Sequence, residues 1–475
     1  MKYLSLTLIA LFAAGAQAQS VTVGLSGADY PTLSAAIAAT SASATQPDVI
    51  TFIDEGPFIE PGRIIINQSY AMDVIDPTPT DLTIQAAPGL RPRVVVPGGN
   101  ASAIYLRKVG SVTLRDIVLM PATTGTPAQH GIVVDDEGGR ETVVTLENIL
   151  ITSNDGANQP VASLDGLTSP TYTANTVTFR QDGINCSSMD PTVVEKIYIN
   201  DVVISGIPGS PTANSCGIRG FCDGAPGSEW IVGPGCVISY LNTTKAPVDM
   251  TNLGAGAFQP GDNRDMALTI RGTQEKPVLV FNNNLNAIAI TNGAATTTDG
   301  LGDVEWAIFA NNTGRAYLSG DISGTSHFKN VTFINHNGMF QPGASADENV
   351  ITFENVIAAG NGDNEDPMNA FHFIATGNPG FTSNFTADHS AIVQAGPFTL
   401  NTNLYGGTSI FSDSNWNVTT TNIINSDPAF VSTDPLQGGF AVVSNPAYGT
   451  AGPGGVPLIG GGAFAASSVS DWQIF

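Results

Sequence analysis

The stretch Val350-Ile-Thr-Phe353-Glu-Asn355-Val356-Ile-Ala-Ala359 contains the pattern on which the whole chain is built. Around Asn355 it reads apolar, polar, Asn, apolar, so the two flanking apolar residues lie three positions apart. In a continuous strand the inward side chains lie two positions apart, so the extra residue predicts a corner between two strands that face the same core. Asn suits this corner because, Gly aside, Asn and Asp best tolerate the left-handed backbone conformation.

Four further stretches repeat this pattern with Asn or Asp at the corner, at residues 111–119, 143–151, 197–204 and 327–333. The apolar residue two positions before each corner falls at 114, 146, 199, 328 and 353, so the intervals are 32, 53, 129 and 25 residues. In order, these intervals correspond to about one, two, five and one repeats of a unit of about 25 to 30 residues. Such a period indicates a solenoid or a propeller. Units of strand, corner and strand without helical periodicity favour an all-β coil of parallel strands.

The composition favours one solenoid over several domains. The chain has 475 residues, of which 12% are charged and 52 are Gly, and no Pro- or Ser-rich linker divides it. The formal net charge is 17 − 41 = −24. This charge argues against nucleic acid and anionic membranes as partners, because both require clustered Lys and Arg. An acidic surface suits solubility outside the cell and the uptake of divalent cations.

Residues 1–18 have the pattern of a cleavable secretory signal peptide. A basic start at Lys2 is followed by an apolar run over 3–14 and by Ala16-Gln17-Ala18. The run is too short to span a bilayer comfortably. The sequence therefore predicts a mature chain that begins at Gln19 and has no integral membrane segment. The predicted location is secreted, extracellular or at the cell surface, with the periplasm as an alternative.

The four cysteines lie in one part of the chain, at Cys186, Cys216, Cys222 and Cys236. An even number in an exported protein predicts two disulfides, and three pairings remain open. Free buried thiols are the alternative. The spacings of 30, 6 and 14 residues match no zinc motif.

Both ends of the mature chain resemble segments of known β-helix proteins. The segment Gly24-Leu-Ser-Gly27-Ala-Asp29-Tyr30-Pro31-Thr-Leu33-Ser34 resembles the first segment of pectinesterase-like β-helix proteins, in which a strand and a short helix cover the first coil. The segments Asp427-Pro428-Ala-Phe430, Asn445-Pro446-Ala447 and Gly460-Gly-Gly-Ala463-Phe464 resemble the closing segment of secreted bacterial β-helix proteins, with Asn445 in place of the usual Ser.

Together with the repeated corners, these segments resemble the pectin-lyase-like superfamily. The resemblance implies a single-stranded right-handed parallel β-helix with a strand and helix cap at the N-terminus and a second cap at the C-terminus. The implied divisions are a signal peptide at 1–18, the N-terminal cap and first strands at 19–80, the β-helix with projecting loops at 81–410, and the C-terminal capping segment at 411–475.

Enzymes of this superfamily cleave or de-esterify acidic polysaccharides, and their motifs are incomplete here. Arg180-Gln181-Asp182-Gly183 lacks the remaining pectinesterase motifs. Asp182-Gly183-Ile184-Asn185 resembles the first polygalacturonase motif, but the Asp135-Asp136 pair and the Gln129-His130-Gly131 step precede it and no Arg-Ile-Lys is present.

One region gathers arginines and acidic residues among the cysteines and the predicted projecting loops. A lyase needs a cation that neutralises the uronate and a base that abstracts the adjacent proton. The candidate catalytic residues are therefore Arg180, Asp182, Arg219 and Asp223, and the candidate substrate-binding residues are Asp190 and Trp230. Ordinary surface positions on stacked coils are the alternative interpretation. Trp306 and Trp416 are further candidates for stacking on sugars.

Calcium is the one cofactor that the sequence suggests. The loop that contains Asp363, Glu365 and Asp366 offers oxygen ligands that suit Ca²⁺ but lacks the alternation of a calcium loop, so a solvated turn is the alternative. The acidic stretch at 135–139 is interpreted in the same way, as a turn between strands.

The sequence leaves two functions open. The favoured one is a secreted or cell-surface β-helix protein that binds extracellular polysaccharide, or serves in surface architecture, without catalysis. The alternative is a polysaccharide lyase or glycoside hydrolase that acts on acidic glycans such as pectin. A fold alone does not decide between them, and the sequence predicts no oligomeric state.

Overall fold

The structure is a computed structural model, and it describes residues 19–41, 47–67, 81–96, 102–107, 109–121, 130–135, 141–154, 157–160, 162–163, 182–186, 193–206, 216–220, 227–241, 256–260, 268–283, 286–290, 301–314, 316–319, 324–336, 340–341, 349–360, 383–393, 404–405, 408–409 and 416–464. The predicted signal peptide at 1–18 lies outside this part of the chain.

Almost all regular elements of the described residues are β-strands. In the N-terminal part of the chain the elements are β1 (Gln19–Val23), α1 (Leu33–Ser41), β2 (Pro47–Phe52), β3 (Phe58–Ile59), β4 (Ile64–Asn67), β5 (Asp81–Ala86), β6 (Arg93–Val96), β7 (Ser102–Arg107), β8 (Ser111–Arg115), β9 (Val118–Pro121), β10 (His130–Asp135), β11 (Thr142–Glu147), β12 (Leu150–Thr152), β13 (Asp182–Cys186), β14 (Glu195–Asn200), β15 (Val203–Ser205) and β16 (Cys216–Gly220).

The C-terminal part continues with β17 (Glu229–Val232), β18 (Val237–Ser239), β19 (Gly256–Pro260), β20 (Leu268–Arg271), β21 (Val278–Phe281), β22 (Asn286–Ile290), β23 (Leu301–Ala310), β24 (Tyr317–Ser319), β25 (Gly324–Ile334), β26 (Phe340–Gln341), β27 (Asn349–Ala359), β28 (Ser383–Asp388), β29 (Ala391–Ile392), β30 (Leu404–Tyr405), β31 (Thr408–Ser409), β32 (Trp416–Thr421), β33 (Val442–Val443) and β34 (Ala463–Phe464). Two short 3-10 helices lie at Pro446–Tyr448 and Pro453–Gly455.

Each coil has three sides that stack on the same sides of the next coil. Two sides belong to one 21-stranded sheet, whose strands before the corner we call the first arm and whose strands after it we call the second arm. The third side is a nine-stranded sheet that runs from β4 to β26. Neighbouring strands pair in parallel throughout the coils, as in β8, β11 and β14. The predicted right-handed parallel β-helix is thereby confirmed.

The predicted corners are also confirmed. Asp116, Asn148, Asp201, Asn330 and Asn355 all have positive φ, between 50° and 61°. This conformation is accessible to Asn and Asp at low cost, and it turns the chain so that both arms keep an inward face. The apolar residues predicted to precede the corners lie in register, as Leu114 with Leu146 and Phe328 with Phe353.

The core is a continuous stack of inward side chains. Leu114, Leu146 and Phe353 are fully buried on the first arm. Their partners after the corner, such as Ile117 and Val356, are buried in the same cluster. Because each coil contacts only its neighbours, the stability of this core grows with the number of stacked coils.

A ladder of polar side chains lies inside this core after the second arm. Asn283 and Asn312 are fully buried, and His336 is 2% exposed. Nδ2 of Asn283 donates to Oδ1 of Asn312 at 2.8 Å, and Nδ2 of Asn312 donates to the carbonyl of Val280 and lies 3.1 Å from Nε2 of His336. Buried amides are stable here because their hydrogen bonds are made along the stack.

The N-terminal cap is the short helix α1, held by a residue of the coil beneath it. The carboxylate of the buried Glu60 accepts hydrogen bonds from the backbone amides of Leu33 and Ser34, both at 2.9 Å. The first turn of α1 contains no acidic residue. Glu60 therefore supplies the negative group that a helix N-terminus favours.

The described C-terminal segment packs along the flank of the rod. Phe440 and Ala441 join the cluster formed by outward side chains of the second arm, including Phe281 and Ile308. Tyr448 packs with Ile357 in a neighbouring cluster. The segment thus covers apolar side chains that the second arm directs away from the core.

The prediction of two disulfides is wrong, because Cys236 is a free, buried thiol. Its Sγ donates to the carbonyl of Ile199 at 3.2 Å, inside the main core cluster. Cys236 occupies the inward position after the corner, where the neighbouring coils have Val202 and Val278. It acts there as a small apolar residue. Cys186 and Cys216 lie in β13 and β16, and Cys222 lies outside the described residues.

Candidate functional site

Two of the four predicted catalytic residues, Asp182 and Arg219, lie in strands of the nine-stranded sheet. Asp182 begins β13 and Arg219 lies in the neighbouring strand β16. The register pairs Asp182 with Cys216 and Arg219 with Asn185, so Asp182 and Arg219 are offset by three positions, roughly 10 Å along the strand. The structure therefore brings Arg219 beside Asn185. Arg180, Asp190 and Asp223 lie outside the described residues.

Arg219 belongs to a column of outward side chains that crosses four neighbouring strands. Tyr105, Val133, Asn185 and Arg219 follow one another in register on β7, β10, β13 and β16. Isoleucines just before them point into the core, which fixes the outward direction by alternation. Asn185 and Val133 in the middle of the column are only 6% and 7% exposed, whereas Tyr105 and Arg219 at its ends are partly exposed.

Two further arginines lie around Tyr105. The guanidinium carbon of Arg63 lies 4.7 Å from the centre of the Tyr105 ring. Arg107 is in register with Asp135, which is 5% exposed and accepts a short hydrogen bond from the hydroxyl of Tyr105. We call the outer side of these strands the arginine face, and its defining residues are Arg63, Tyr105, Arg107, Asp135, Asn185 and Arg219.

The charge of the arginine face differs from that of the whole molecule. Its defining residues have three cations and one carboxylate, whereas the chain has 17 basic and 41 acidic residues. Arg63, Arg107 and Arg219 are all partly exposed. Guanidinium groups bind carboxylates and sulfates through paired hydrogen bonds, and a Tyr ring offers a platform for a sugar. The face is thus suited chemically to an anionic saccharide.

A glycine-isoleucine repeat explains why these strands pack so closely on the core. Gly131 and Gly183 occupy equivalent positions before Ile132 and Ile184. A Cβ at Gly131 would lie 2.8 Å from Cγ2 of Ile151, and one at Gly183 would lie 2.6 Å from Cγ2 of Ile204. Only glycine leaves room for the second-arm isoleucines.

The predicted role of Trp230 in sugar binding is wrong. Trp230 lies in β17 in register with Ile197, and its side chain is 1% exposed within the main core cluster. Its ring therefore has no face to offer a ligand. Trp306 is partly exposed and stands at a corner with φ of 50°.

The described part of the chain contains none of the predicted metal ligands. Asp363, Glu365 and Asp366 lie outside it. Within it, no three His, Cys, Asp or Glu side chains are grouped so that they could hold a metal ion. Asp135, which the sequence suggested for a turn, is the last residue of strand β10. In the same residues no helix is long and apolar enough to cross a membrane.

Sequence reasoning missed most of the arginine face. It found Arg219 because acidic residues and arginines cluster there, and it quoted Asn185 only as part of a motif, but it did not single out Arg63, Tyr105 or Arg107. The signal was present in the repeat of a small residue followed by Ile, at 103–104, 131–132, 183–184 and 217–218. An alignment on that repeat puts Tyr105, Asn185 and Arg219 in one column.

The chain matches no protein-family model, and no curated protein matches its sequence. The argument about function therefore depends on the geometry and the chemistry of the arginine face.

Proposed function

We propose that the protein is a secreted or cell-surface β-helix protein of pectin-lyase-like type that binds an extracellular acidic polysaccharide along the arginine face. One observation carries the proposal. In a strongly acidic chain, Arg63, Arg107 and Arg219 lie around one column of outward side chains, together with Tyr105. A uronate or sulfate polymer is the anionic ligand whose charges repeat along such a column.

The direction of the column favours an extended ligand. Its side chains are spaced by the distance between strands, about 4.8 Å, so Tyr105 and Arg219 are separated by about 14 Å along the rod. A chain of several sugar units that runs along the rod meets the Tyr105 ring and the Arg219 guanidinium, the partly exposed side chains at the two ends of the column. Cations on the face attract the polymer, although the rest of the surface repels it.

Catalysis on the same face is the second candidate, as a polysaccharide lyase or glycoside hydrolase. It is favoured by the hydrogen bond from the Tyr105 hydroxyl to Asp135, next to Arg107. In a lyase reaction Arg107 would pair with the uronate carboxylate, and the Tyr105 oxygen would take the proton on C5 as its own proton passes to Asp135. The electron pair left on C5 would form the C4–C5 double bond as the glycosidic C4–O bond breaks, and the leaving oxygen would take the proton back through Tyr105. We favour binding without turnover because the catalytic motifs of the superfamily are incomplete in this sequence.

The test is a binding and turnover assay on the chain from Gln19 to Phe475. Polygalacturonate, alginate and chondroitin sulfate are titrated with and without calcium, beside an uncharged glycan of similar length. We expect binding of at least one acidic polymer that weakens as salt is added, because the contacts are ionic. Ultraviolet absorbance of unsaturated uronate and a reducing-end assay report turnover in the same samples.

The variants Arg107→Gln and Arg219→Gln test the location. Each is expected to weaken binding about tenfold, since a charged hydrogen bond is lost. Arg271→Gln is the matched control, because Arg271 is an exposed arginine on the first arm. Equal binding by all three variants would refute the site. Product formation that disappears in Tyr105→Phe would replace the binding proposal with the lyase.

A further inference from the structure

A pocket lies away from the arginine face, along the corners between the first and second arms. Its volume is about 320 Å³. Six polar side chains line it, from Arg115, Asp116, Glu147, Asn148, Asp201 and Lys276. It opens on the outer side of the first arm, whereas the arginine face belongs to the nine-stranded sheet.

One of the corners that line the pocket has no side chain. Asp116, Asn148 and Asp201 occupy the corner in successive coils, and the next coil has Gly235 there, with φ of 72°. A Cβ at Gly235 would collide with Oδ1 of Asp201. The carboxylate of Asp201 therefore lies directly over Gly235, and Lys276 of the following coil closes the far side of the pocket by an ion pair with Asp201 at 2.8 Å.

The charges that surround the pocket are balanced. The lining has three carboxylates, of Asp116, Glu147 and Asp201, and two cations, of Arg115 and Lys276, and Arg91 outside the lining makes the cations three in all. Lys276 pairs with Asp201, and Arg91 pairs with Asp116 at 2.7 Å. Arg115 is the third cation, and its Nε donates to Gln85 at 2.9 Å. A multivalent anion or cation would meet like charges on one side, so the balance favours an uncharged ligand.

The hydrogen-bonding groups suit a ligand with many hydroxyls. Oδ1 of Asp116 accepts from both Arg91 and Asn148, which leaves Oδ2 as an acceptor, and the Glu147 carboxylate is exposed at the rim. Carboxylates accept from neighbouring hydroxyl pairs, while guanidinium and ammonium groups donate to hydroxyl oxygens. Most ligand pockets are lined mainly by apolar side chains, whereas the side chains that line this one are all polar, which suits a ligand whose surface consists mostly of hydroxyl groups.

The surface beside the pocket extends the same chemistry. Thr113, Thr145 and Tyr198 form an outward column in register on β8, β11 and β14, two positions before the column of Arg115 and Glu147. All three are partly exposed. The Tyr198 ring gives the column an apolar surface on which a sugar ring can stack.

We propose that this corner pocket binds a neutral saccharide unit, independently of the acidic polymer on the arginine face. The pocket accommodates a sugar of one or two units, with hydroxyls directed to Asp116, Glu147 and Arg115. A protein with both sites links an acidic and a neutral polysaccharide.

The test uses uncharged gluco-, manno-, xylo- and galacto-oligosaccharides in saturation-transfer NMR and calorimetry with the chain from Gln19. We expect at least one of them to bind. Gly235→Asn is the decisive variant, because it fills the pocket with the residue type that adopts positive φ at the other corners. Glu147→Gln replaces the exposed carboxylate with an amide of similar size and leaves the core unchanged. Each is expected to weaken neutral-sugar binding about tenfold.

Arg219→Gln separates this site from the arginine face. It is expected to leave neutral-sugar binding unchanged and to weaken only the acidic polymer, whereas Gly235→Asn has the opposite pattern. If no neutral oligosaccharide binds at millimolar concentration, the proposal is overturned. Unchanged binding in Gly235→Asn also overturns it. Should Gly235→Asn fail to fold, unchanged binding in Glu147→Gln does so.

Discussion

Asn355 illustrates how one residue determines the shape of a coil. Its backbone has φ of 53°, and its side chain is 7% exposed. Nδ2 donates to Oδ1 of Asn330 in the preceding coil at 2.5 Å, and Oδ1 accepts from the amide of Ile459 at 3.3 Å. The residue therefore makes the corner, stacks on the corner below, and holds the C-terminal segment.

Asn355→Val is expected to lower stability by about 1–3 kcal/mol through backbone strain, with a further loss from the missing hydrogen bonds. A β-branched side chain is poorly accommodated at positive φ. The midpoint of thermal or urea unfolding measures the loss. Asn355→Gly is the matched control, because it keeps the conformation and removes only the side-chain contacts. Equal loss in both variants would show that strain is not the cause.

Cys236 is expected to be inert in the native state. Burial, with a smaller contribution from the charge of Asp201, raises the pKa of its thiol to about 12, and backbone hydrogen bonds at Val202, Gly233 and Asp201 offset this only in part. Thiolate is the reactive form, so thiol reagents at pH 8 should modify Cys236 only after unfolding. Mass spectrometry with and without denaturant measures this. Rapid modification of the folded chain at Cys236 would contradict the buried position.

The same shift predicts a pH dependence of stability. The folded pKa of Cys236 lies above the ordinary value of 9.0. The stability that the protonated, buried thiol contributes is therefore complete below pH 9 and is lost as the pH rises toward 12. Between pH 8 and pH 10.5 the wild type should lose about 2 kcal/mol relative to Cys236→Val. Cys236→Val has no titrating thiol and matches the valines of the neighbouring coils. Parallel pH profiles for the two proteins would exclude the effect.

At the scale of elements, α1 depends on a residue that is distant in sequence. Glu60→Ala removes the carboxylate that accepts from Leu33 and Ser34. We expect a loss of about 1–2 kcal/mol, typical of a lost helix cap, confined to the N-terminal cap. Hydrogen exchange of residues 19–41 measures it. Glu60→Gln keeps the acceptor oxygen without the charge and should lose less, and uniform destabilisation of distant coils would contradict a local role.

The sequence was sufficient for the repeated elements and insufficient for the exceptions. Asn and Asp corners follow from backbone preference, so Asp116 and Asn355 were predictable one by one. Trp306 and Tyr240 also have positive φ, at 50° and 54°, and no local preference predicts them. They occupy corners because the stacked coils on both sides fix the conformation. Trp230 was misassigned for a similar reason, because burial of an aromatic residue depends on the register of its strand.

At the scale of the whole molecule, the three sides of the rod differ in what they offer. The second arm directs apolar side chains outward, and Leu150 and Val203 are almost fully buried there by other parts of the chain. The first arm presents partly exposed polar side chains and the corner pocket. The nine-stranded sheet carries the arginine face. The sequence predicted the rod, but the grouping of Tyr105 with Arg219 depends on coils that are more than 100 residues apart.

The most direct measurement is a crystal structure of the chain with a bound oligogalacturonide. We predict that the sugar chain runs along the rod over Tyr105 and Arg219, with a carboxylate paired to Arg107 or Arg219. Sugar bound on the first arm or the second arm, with the arginine face unoccupied, would contradict the proposed function.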